Sequence, residues 1–312
     1  MAHRALFAGS VGPVPAAVMR AWIGAGNSVA AFWRASAPGP IRRDRRLSWI
    51  TPHWSLAAME RKYEIPVRDV KRLATWPEAA EEARATGADV LISAYFKYLI
   101  PQEVLDVFGP QAVNFHPAPL PRYRGPQPLW AMVLDRTILT EGAMTLHVLG
   151  ETFDAGPVIA RAPVGLPADM SLERYTFKLS QAAARLTNDA LMRYLAGELQ
   201  PRPQDESKAT YARPASSERQ LRFDMTADEI RWRCRTLARV APMGIIGLTD
   251  SVKIIGFGAV VGPRTAEPPV IGRWSVEFDA ADARVRLRRK LPLNSQLRRI
   301  RYLVDLVRTP VI

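Results

Sequence analysis

Apolar and polar positions divide the chain into short buried runs and longer amphipathic ones. The run at 4–9 is apolar and ends at Gly9-Ser10. Gly12, Pro13 and Pro15 then predict a loop, residues 16–25 a helix and residues 29–33 a second strand. Strand, turn, helix, strand is the opening of a parallel α/β sheet. The pattern continues with a helix over 56–63, a short strand over 65–67, a helix over 78–86 closed by Gly87, and a buried strand over 89–94. Pro101 predicts the first turn of a helix running to 107, because proline suits that position. Strands follow over 112–116, 144–149 and 158–162, with a helix over 129–134 between the first two. Residues 171–195 read as one long amphipathic helix with Gly197 as its stop signal.

The pattern changes at 198–219, a polar, proline-containing stretch with weak periodicity that reads as a linker. Beyond it, residues 226–239 predict a helix capped by Thr226, with Glu229 completing a capping box. Short strands are then expected over 244–248, 252–257, 270–274 and 284–288, which suits a small barrel. The expected organisation is therefore an α/β domain at 1–197 with an open, mostly parallel sheet, a linker at 198–219 and a small β-barrel domain at 220–312. With 312 residues, 48% of them hydrophobic, the chain has material for two cores. No apolar run reaches the ~18 residues that a membrane span needs, and the first ten residues lack a signal-peptide core. The one cysteine, Cys234, excludes an internal disulfide, fits a reducing cytoplasmic setting and reads as a buried structural thiol.

Charge is unevenly placed. Residues 1–50 hold seven Lys or Arg against one Asp, residues 51–200 hold fifteen against seventeen acids, and residues 201–312 hold twenty-one against twelve. The middle is near neutral and the flanks are basic. Such flanks suit a polyanionic partner such as RNA or a nucleotide-linked substrate; an arginine-rich composition alone gives the same pattern. The densest run, R-R-D-R-R at 42–46, lies in a stretch (35–54) expected to be an exposed, mobile loop.

The chemistry concentrates at 112–159. Asn114 and His116 lie two residues apart near the C-terminal end of an expected strand, where open parallel sheets place their ligands. Asp154 follows in the same stretch. An amide can donate to a developing oxyanion, an imidazole can handle a proton, and a carboxylate can orient that imidazole, which are the needs of acyl transfer to an amine. Pro117, Pro119, Pro121, Gly125, Pro126 and Pro128 shape the loop between. His147, on the strand expected at 144–149, fits either a core or a ligand-facing position.

These segments resemble a known family. N-F-H-P…L-P-R-Y-R-G-P-Q-P followed by T-L-H…D-A-G-P-V-I is similar to the folate-dependent formyltransferases that act on methionyl-tRNA, glycinamide ribonucleotide and amino sugars. F-A-G-S at 7–10, A-Y-F-K-Y-L-I-P at 94–101 and D-E-S-K-A-T-Y-A at 205–212 extend the likeness over nearly the whole chain. The resemblance implies a Rossmann-like formyltransferase domain followed by an OB-like barrel. It implies catalysis by Asn114, His116 and Asp154, with Asn114 on the formyl oxygen, His116 on the proton and Asp154 paired to His116. It also implies 10-formyltetrahydrofolate as co-substrate, held by Phe96, Lys97, Tyr98, Leu99, Glu151 and Thr152, and no metal. Ser10, Arg42, Arg43, Arg122 and Arg124 would face the substrate, with bracing of the proline-rich loop as the other reading of Arg122 and Arg124. The acceptor is either charged methionyl-tRNA or a nucleotide-linked amino sugar or other small amine. The basic flanks favour the tRNA, and the T-L-H-V-L strand, where the tRNA enzymes carry T-I-M-Q-M, favours the sugar. A folate deformylase without acceptor and a non-catalytic RNA- or nucleotide-binding relative remain as alternatives, the second opposed by the intact Asn114, His116 and Asp154.

Overall fold

The structure is a computed structural model that describes residues 2–71, 76–167, 170–238, 242–249 and 252–290. The end of the helix expected to reach Arg239, and the part of the expected second domain beyond Lys290, lie outside the described residues. Strands β1 (Arg4–Gly9), β2 (Ser28–Arg34), β3 (Val67–Asp69), β4 (Val90–Ala94), β5 (Ala112–His116), β6 (Ala143–Val148) and β7 (Val158–Pro163) form one sheet in the order β3-β2-β1-β4-β5-β6-β7. The pairs from β3 across to β5 are all parallel, and β6 and β7 add antiparallel pairs at one edge. Parallel strands covered on both faces must be apolar throughout, and residues 5–8 of β1 are at most 2% exposed.

Alternate side chains of β1 enter different cores, as the period of two in a strand requires. Ala5 and Phe7 join the core beneath α1 (Pro13–Gly24), while Leu6 and Ala8 join the core on the other face. Helices α2 (Pro38–Leu47), α3 (Leu56–Lys62), α4 (Ala79–Ala85), α5 (Gln102–Phe108) and α6 (Pro128–Leu134) follow in the connections. Helix α7 (Leu172–Leu186) packs along α1 and continues through a π turn at Thr187–Leu191 into α8 (Met192–Leu195). The single helix expected at 171–195 is thus interrupted; Thr187 Oγ1 donates back to the Ala183 carbonyl at 2.8 Å where the register widens. Helix α1 begins at Pro13 rather than after Pro15, because a first turn has no use for the missing N–H groups.

The stretch 35–54 departs most from expectation. It is no loop: Pro38 starts α2, and a 3₁₀ turn occupies Pro52–Trp54. Asp44, the one acid among the arginines, is 9% exposed and accepts the Ala57 N–H at 2.8 Å. Ser55 Oγ accepts the Ala58 N–H at 3.2 Å, so two side chains cap the start of α3 and tie α2 to it. Burial pushes the Asp44 carboxyl up, against these hydrogen bonds. Arg42, Arg43, Arg45 and Arg46 stay exposed around it.

The segment expected as a linker is a strap laid on the first sheet. Arg202 bridges Val158 on the free edge of β7, and Tyr211 bridges Arg124. Beyond it, α9 (Ala227–Thr236) begins at Thr226, whose hydroxyl accepts the Glu229 N–H at 3.2 Å. Only this half of the capping box forms, since the Glu229 carboxylate pairs with Arg233 and Arg136. Strands β8 (Ile254–Gly262), β9 (Val270–Ile271), β10 (Ser275–Asp279) and β11 (Arg284–Arg289) make an antiparallel sheet in the order β8-β11-β10-β9. Three register shifts along β8 against β11 bend it, and bridges from Met243 to Ile254 and from Leu221 to Ile245 extend the curl, in keeping with a small barrel. The strand expected at 244–248 is a turn with that single bridge at Ile245, while β10 went unread although Val276 and Phe278 alternate as buried positions. Cys234 is buried on α9 and its thiol is pushed up to about 12 by that burial, as expected of a structural thiol. Among the described residues no helix is long and apolar enough to cross a membrane.

Candidate active site

The C-terminal ends of β4 and β5 open into a cavity of about 350 Å³. Its polar floor comes from adjacent strands. Asn114 on β5 lies opposite His147 on β6, and His116 lies opposite Thr145, so Asn114, His116 and His147 share one face of the sheet. Asp154 arrives from the β6–β7 connection with φ 57°, a left-handed conformation that a non-glycine residue adopts only when its surroundings fix it. Gly156, two residues on, makes this turn possible: a Cβ there would sit 1.9 Å from the Val148 carbonyl oxygen.

Asp154 is the hub. Its Oδ1 accepts from Asn114 Nδ2 at 3.2 Å and lies 3.3 Å from His116 Nδ1 and 3.5 Å from His147 Nε2. Its Oδ2 accepts the Gly125 N–H at 2.8 Å. Burial by itself would push this carboxyl up, but the charge and hydrogen bond of His116, reinforced by His147, hold it well below the ordinary carboxylate range. His116 Nε2 faces the Tyr123 carbonyl at 2.8 Å, and Tyr123 is itself held at φ 62°. His147 Nδ1 faces the Val148 carbonyl at 2.8 Å, which places a hydrogen on that nitrogen. Its Nε2 lies 3.1 Å from Asn114 Nδ2.

The walls are mostly apolar. Phe96 and Tyr98 meet edge to face at 5.6 Å between centroids, and Leu99, Trp130 and Phe153 complete much of the lining. Of the six residues expected around a cofactor, Phe96, Lys97, Tyr98, Leu99 and Thr152 line this cavity, whereas the Glu151 side chain is exposed outside it. The residues expected on a substrate lie elsewhere. Ser10 Oγ is engaged by the Tyr95 carbonyl at 2.8 Å and the Ala35 carbonyl at 3.1 Å, tying together the ends of three strands. Arg122 pairs with Glu141, and Arg124, 3% exposed, pairs with Glu206 at 2.6 Å and Gln204 at 2.9 Å. Both arginines brace the proline-rich loop. Arg42 and Arg43 lie on α2 and do not line the cavity.

Sequence reasoning missed Gln127, Trp130 and Thr176 as lining residues, while Phe153 falls in the 151–154 loop expected at the pteridine. The position of Trp130 just after the proline-rich loop was the available signal. His147, left open between core and site, is fully buried and does not line the cavity, but it backs Asn114 and Asp154 at 3.1 and 3.5 Å. Among the described residues no group of three or more His, Cys, Asp or Glu has a metal-holding arrangement.

Comparison with known proteins agrees with this geometry. A methionyl-tRNA formyltransferase of Chloroflexus aurantiacus is 34% identical over 179 residues, which are 57% of this chain and 56% of that protein. One from Nitratidesulfovibrio vulgaris is 31% identical over 211 residues, 65% of this chain and 63% of that protein. The chain thus spans between half and two thirds of the length of these relatives. In fold, it superposes on an N-formyltransferase from Helicobacter canadensis, solved with folinic acid and dTDP-3-aminofucose, with a TM-score of 0.63 at 14% identity, over 93% of this chain and 100% of that one. HypX from Aquifex aeolicus, solved with tetrahydrofolic acid, gives a TM-score of 0.64 at 15% identity over 99% of this chain and 48% of that one. Residues 57–191, which contain the whole Asn114, His116, His147 and Asp154 constellation, match the family model described as formyl transferase.

Proposed function

We propose that this protein transfers a formyl group from 10-formyltetrahydrofolate to a primary amine, with methionyl-tRNA as the leading acceptor. The observation that carries the reading is the convergence of Asn114, His116 and Asp154 on the floor of one aromatic-walled cavity. Phe96, Tyr98, Trp130 and Phe153 offer flat apolar surfaces to a pteridine-sized ring system, and the main chain at 96–99 with Thr152 would hold its edge. The co-substrate supplies a formyl group already activated on a nitrogen. The acceptor nitrogen forms a new bond to the formyl carbon, the bond to the folate nitrogen breaks, and one proton passes from the acceptor to that leaving nitrogen. Asn114 would donate to the formyl oxygen as negative charge builds there. Asn114 Nδ2 faces both His147 Nε2 and the Asp154 carboxylate, so it must give up a protein partner to reach the formyl oxygen. His116 would carry the proton, its ring held by the Tyr123 carbonyl and the ionised Asp154.

The tRNA acceptor draws support from the 34%-identical relatives that bear that activity in their name and from the exposed arginines of α2. Trp49 at the end of α2 is 77% exposed with Arg61 stacked 4.3 Å from its ring, a basic and aromatic surface suited to nucleic acid. A nucleotide-linked amino sugar is the second reading, favoured by His147 in the T-L-H-V-L strand. On either reading residues 1–197 form the catalytic domain, 198–219 its strap and 220–312 a second domain, working in the cytoplasm. The test is an acceptor panel with 10-formyltetrahydrofolate, following tetrahydrofolate release from charged initiator tRNA, nucleotide-linked amino sugars and small amines. The fastest turnover is expected with tRNA, with small amines reacting slowly and amino sugars not at all. Turnover with an amino sugar alone would replace the acceptor, formate release without acceptor would make the enzyme a deformylase, and no turnover at all would remove the catalytic reading.

A further inference from the structure

A second cavity, of about 800 Å³, lies where the strap crosses the free edge of β7. Leu120, Val158, Arg161, Arg202, Gln204 and Lys208 are among its lining residues. Its acids already have partners: Asp205 pairs with Lys208 at 2.7 Å, and Glu198 pairs with Arg193 at 3.6 Å. Among the described residues its two arginines have no carboxylate partner. Arg161 donates to the Leu120 carbonyl, and the Arg202 side chain makes no hydrogen bond or ion pair among the described residues, although its main chain is fixed to Val158 by two bonds of 2.8 Å. Two guanidiniums in one concavity without a counter-charge concentrate positive potential there. Their planar forks match tetrahedral oxyanions in geometry.

We propose that this cavity is a phosphate-binding subsite in which Arg161 and Arg202 grip a phosphate or diphosphate group. Its volume also admits a nucleoside attached to that group. The subsite abuts the catalytic turn. The Gln204 amide, which lines it, donates to the Asp154 carbonyl at 2.8 Å and the Gly156 carbonyl at 2.7 Å. A bound phosphate would therefore sit against the residue that holds the turn carrying Asp154. The inference stands on the cavity and its charges and does not depend on formyl transfer.

Isothermal titration of the full chain with inorganic diphosphate and with uridine diphosphate tests it. Both should bind the wild type, more weakly as salt rises. Arg202→Gln should weaken binding about tenfold, and Arg161→Gln with Arg202→Gln should weaken it further. Arg264→Gln, which removes the same charge outside the cavity, should leave binding unchanged. Both arginines are exposed, so folding is not at stake, and Arg202→Lys should restore part of the affinity through its point charge. Tighter binding of uridine diphosphate would mark the subsite as part of a nucleotide-linked ligand's site, and equal binding would mark it as a site for the free anion. The proposal is overturned if neither compound binds, or if the double variant or Arg264→Gln behaves otherwise than stated.

Discussion

At the scale of single residues, the site is a contest between burial and neighbouring charge. Asp154 is buried, yet the two histidines keep it ionised. A carboxyl held low in the folded state stabilises it above the ordinary carboxylate pKa of about 4, and that stability is lost as pH falls through the lowered value. Asp154→Asn should therefore flatten the acid limb of a plot of Tm against pH, and it should also reduce turnover by roughly 100-fold or more. An unchanged acid limb would show that the histidines do not stabilise the carboxylate. Asn114→Ala should likewise cost roughly 100-fold in kcat, the size seen when an oxyanion donor is removed. A near-wild-type kcat would exclude Asn114 from the reaction. Asn114, His116 and Asp154 were readable because their chemistry is unusual at that spacing. His147 was ambiguous because a buried histidine on an alternating strand looks the same in sequence whether its neighbour is core or carboxylate.

At the scale of elements, α2 shows what local sequence hides. Its run of arginines, with Pro38 and Pro40 before it, reads as a solvated loop. Helix formation depends on partners far along the chain: the buried Asp44 caps α3, and Ser55 Oγ donates to the Asp44 carbonyl at 3.3 Å. Strands β1 and β4 were legible from nearly continuous apolar runs, since both of their faces are covered. The second sheet was less so, because bends and short edge strands weaken the alternation on which a strand reading rests. A helical platform alters the expectation for the basic stretch. Arginines on a fixed helix present an ordered charge pattern without first losing the entropy of a loop. Replacing Arg42, Arg43, Arg45 and Arg46 by Ala should raise KM for charged tRNA and flatten its dependence on salt, with kcat for a small amine left alone. A KM and salt slope equal to wild type would leave α2 with a structural role only.

At the scale of the whole molecule, the loop after β5 is finished by chain from beyond the seven-stranded sheet. Arg124 donates its N–H to the Thr210 carbonyl at 2.8 Å, and its own carbonyl accepts from Ala212 at 2.6 Å. Its guanidinium, 3% exposed, has Gln204 and Glu206 as partners. Further out, Trp232 of α9 donates to the Val133 carbonyl of α6 at 2.8 Å, and Arg136 pairs with Asp228 and Glu229. The strap and α9 thus brace the two ends of the segment that runs from Gly125 through α6. Cutting the chain after 197 would leave Arg124 without its acidic partner and expose the β7 edge, and stripping the partner from a buried charge is costly. Cutting after 220 would keep the strap and lose, among the described residues, the contacts of α9 with α6 and Arg136. Fragment 1–197 should therefore show a lower Tm and at least roughly tenfold lower turnover with a small-amine acceptor than fragment 1–220, which should lie closer to the full chain. If 1–197 matched the full chain in both, the site would be complete without the strap, and the hydrogen bonds that 198–212 makes to the catalytic loop would serve only to tether the second domain.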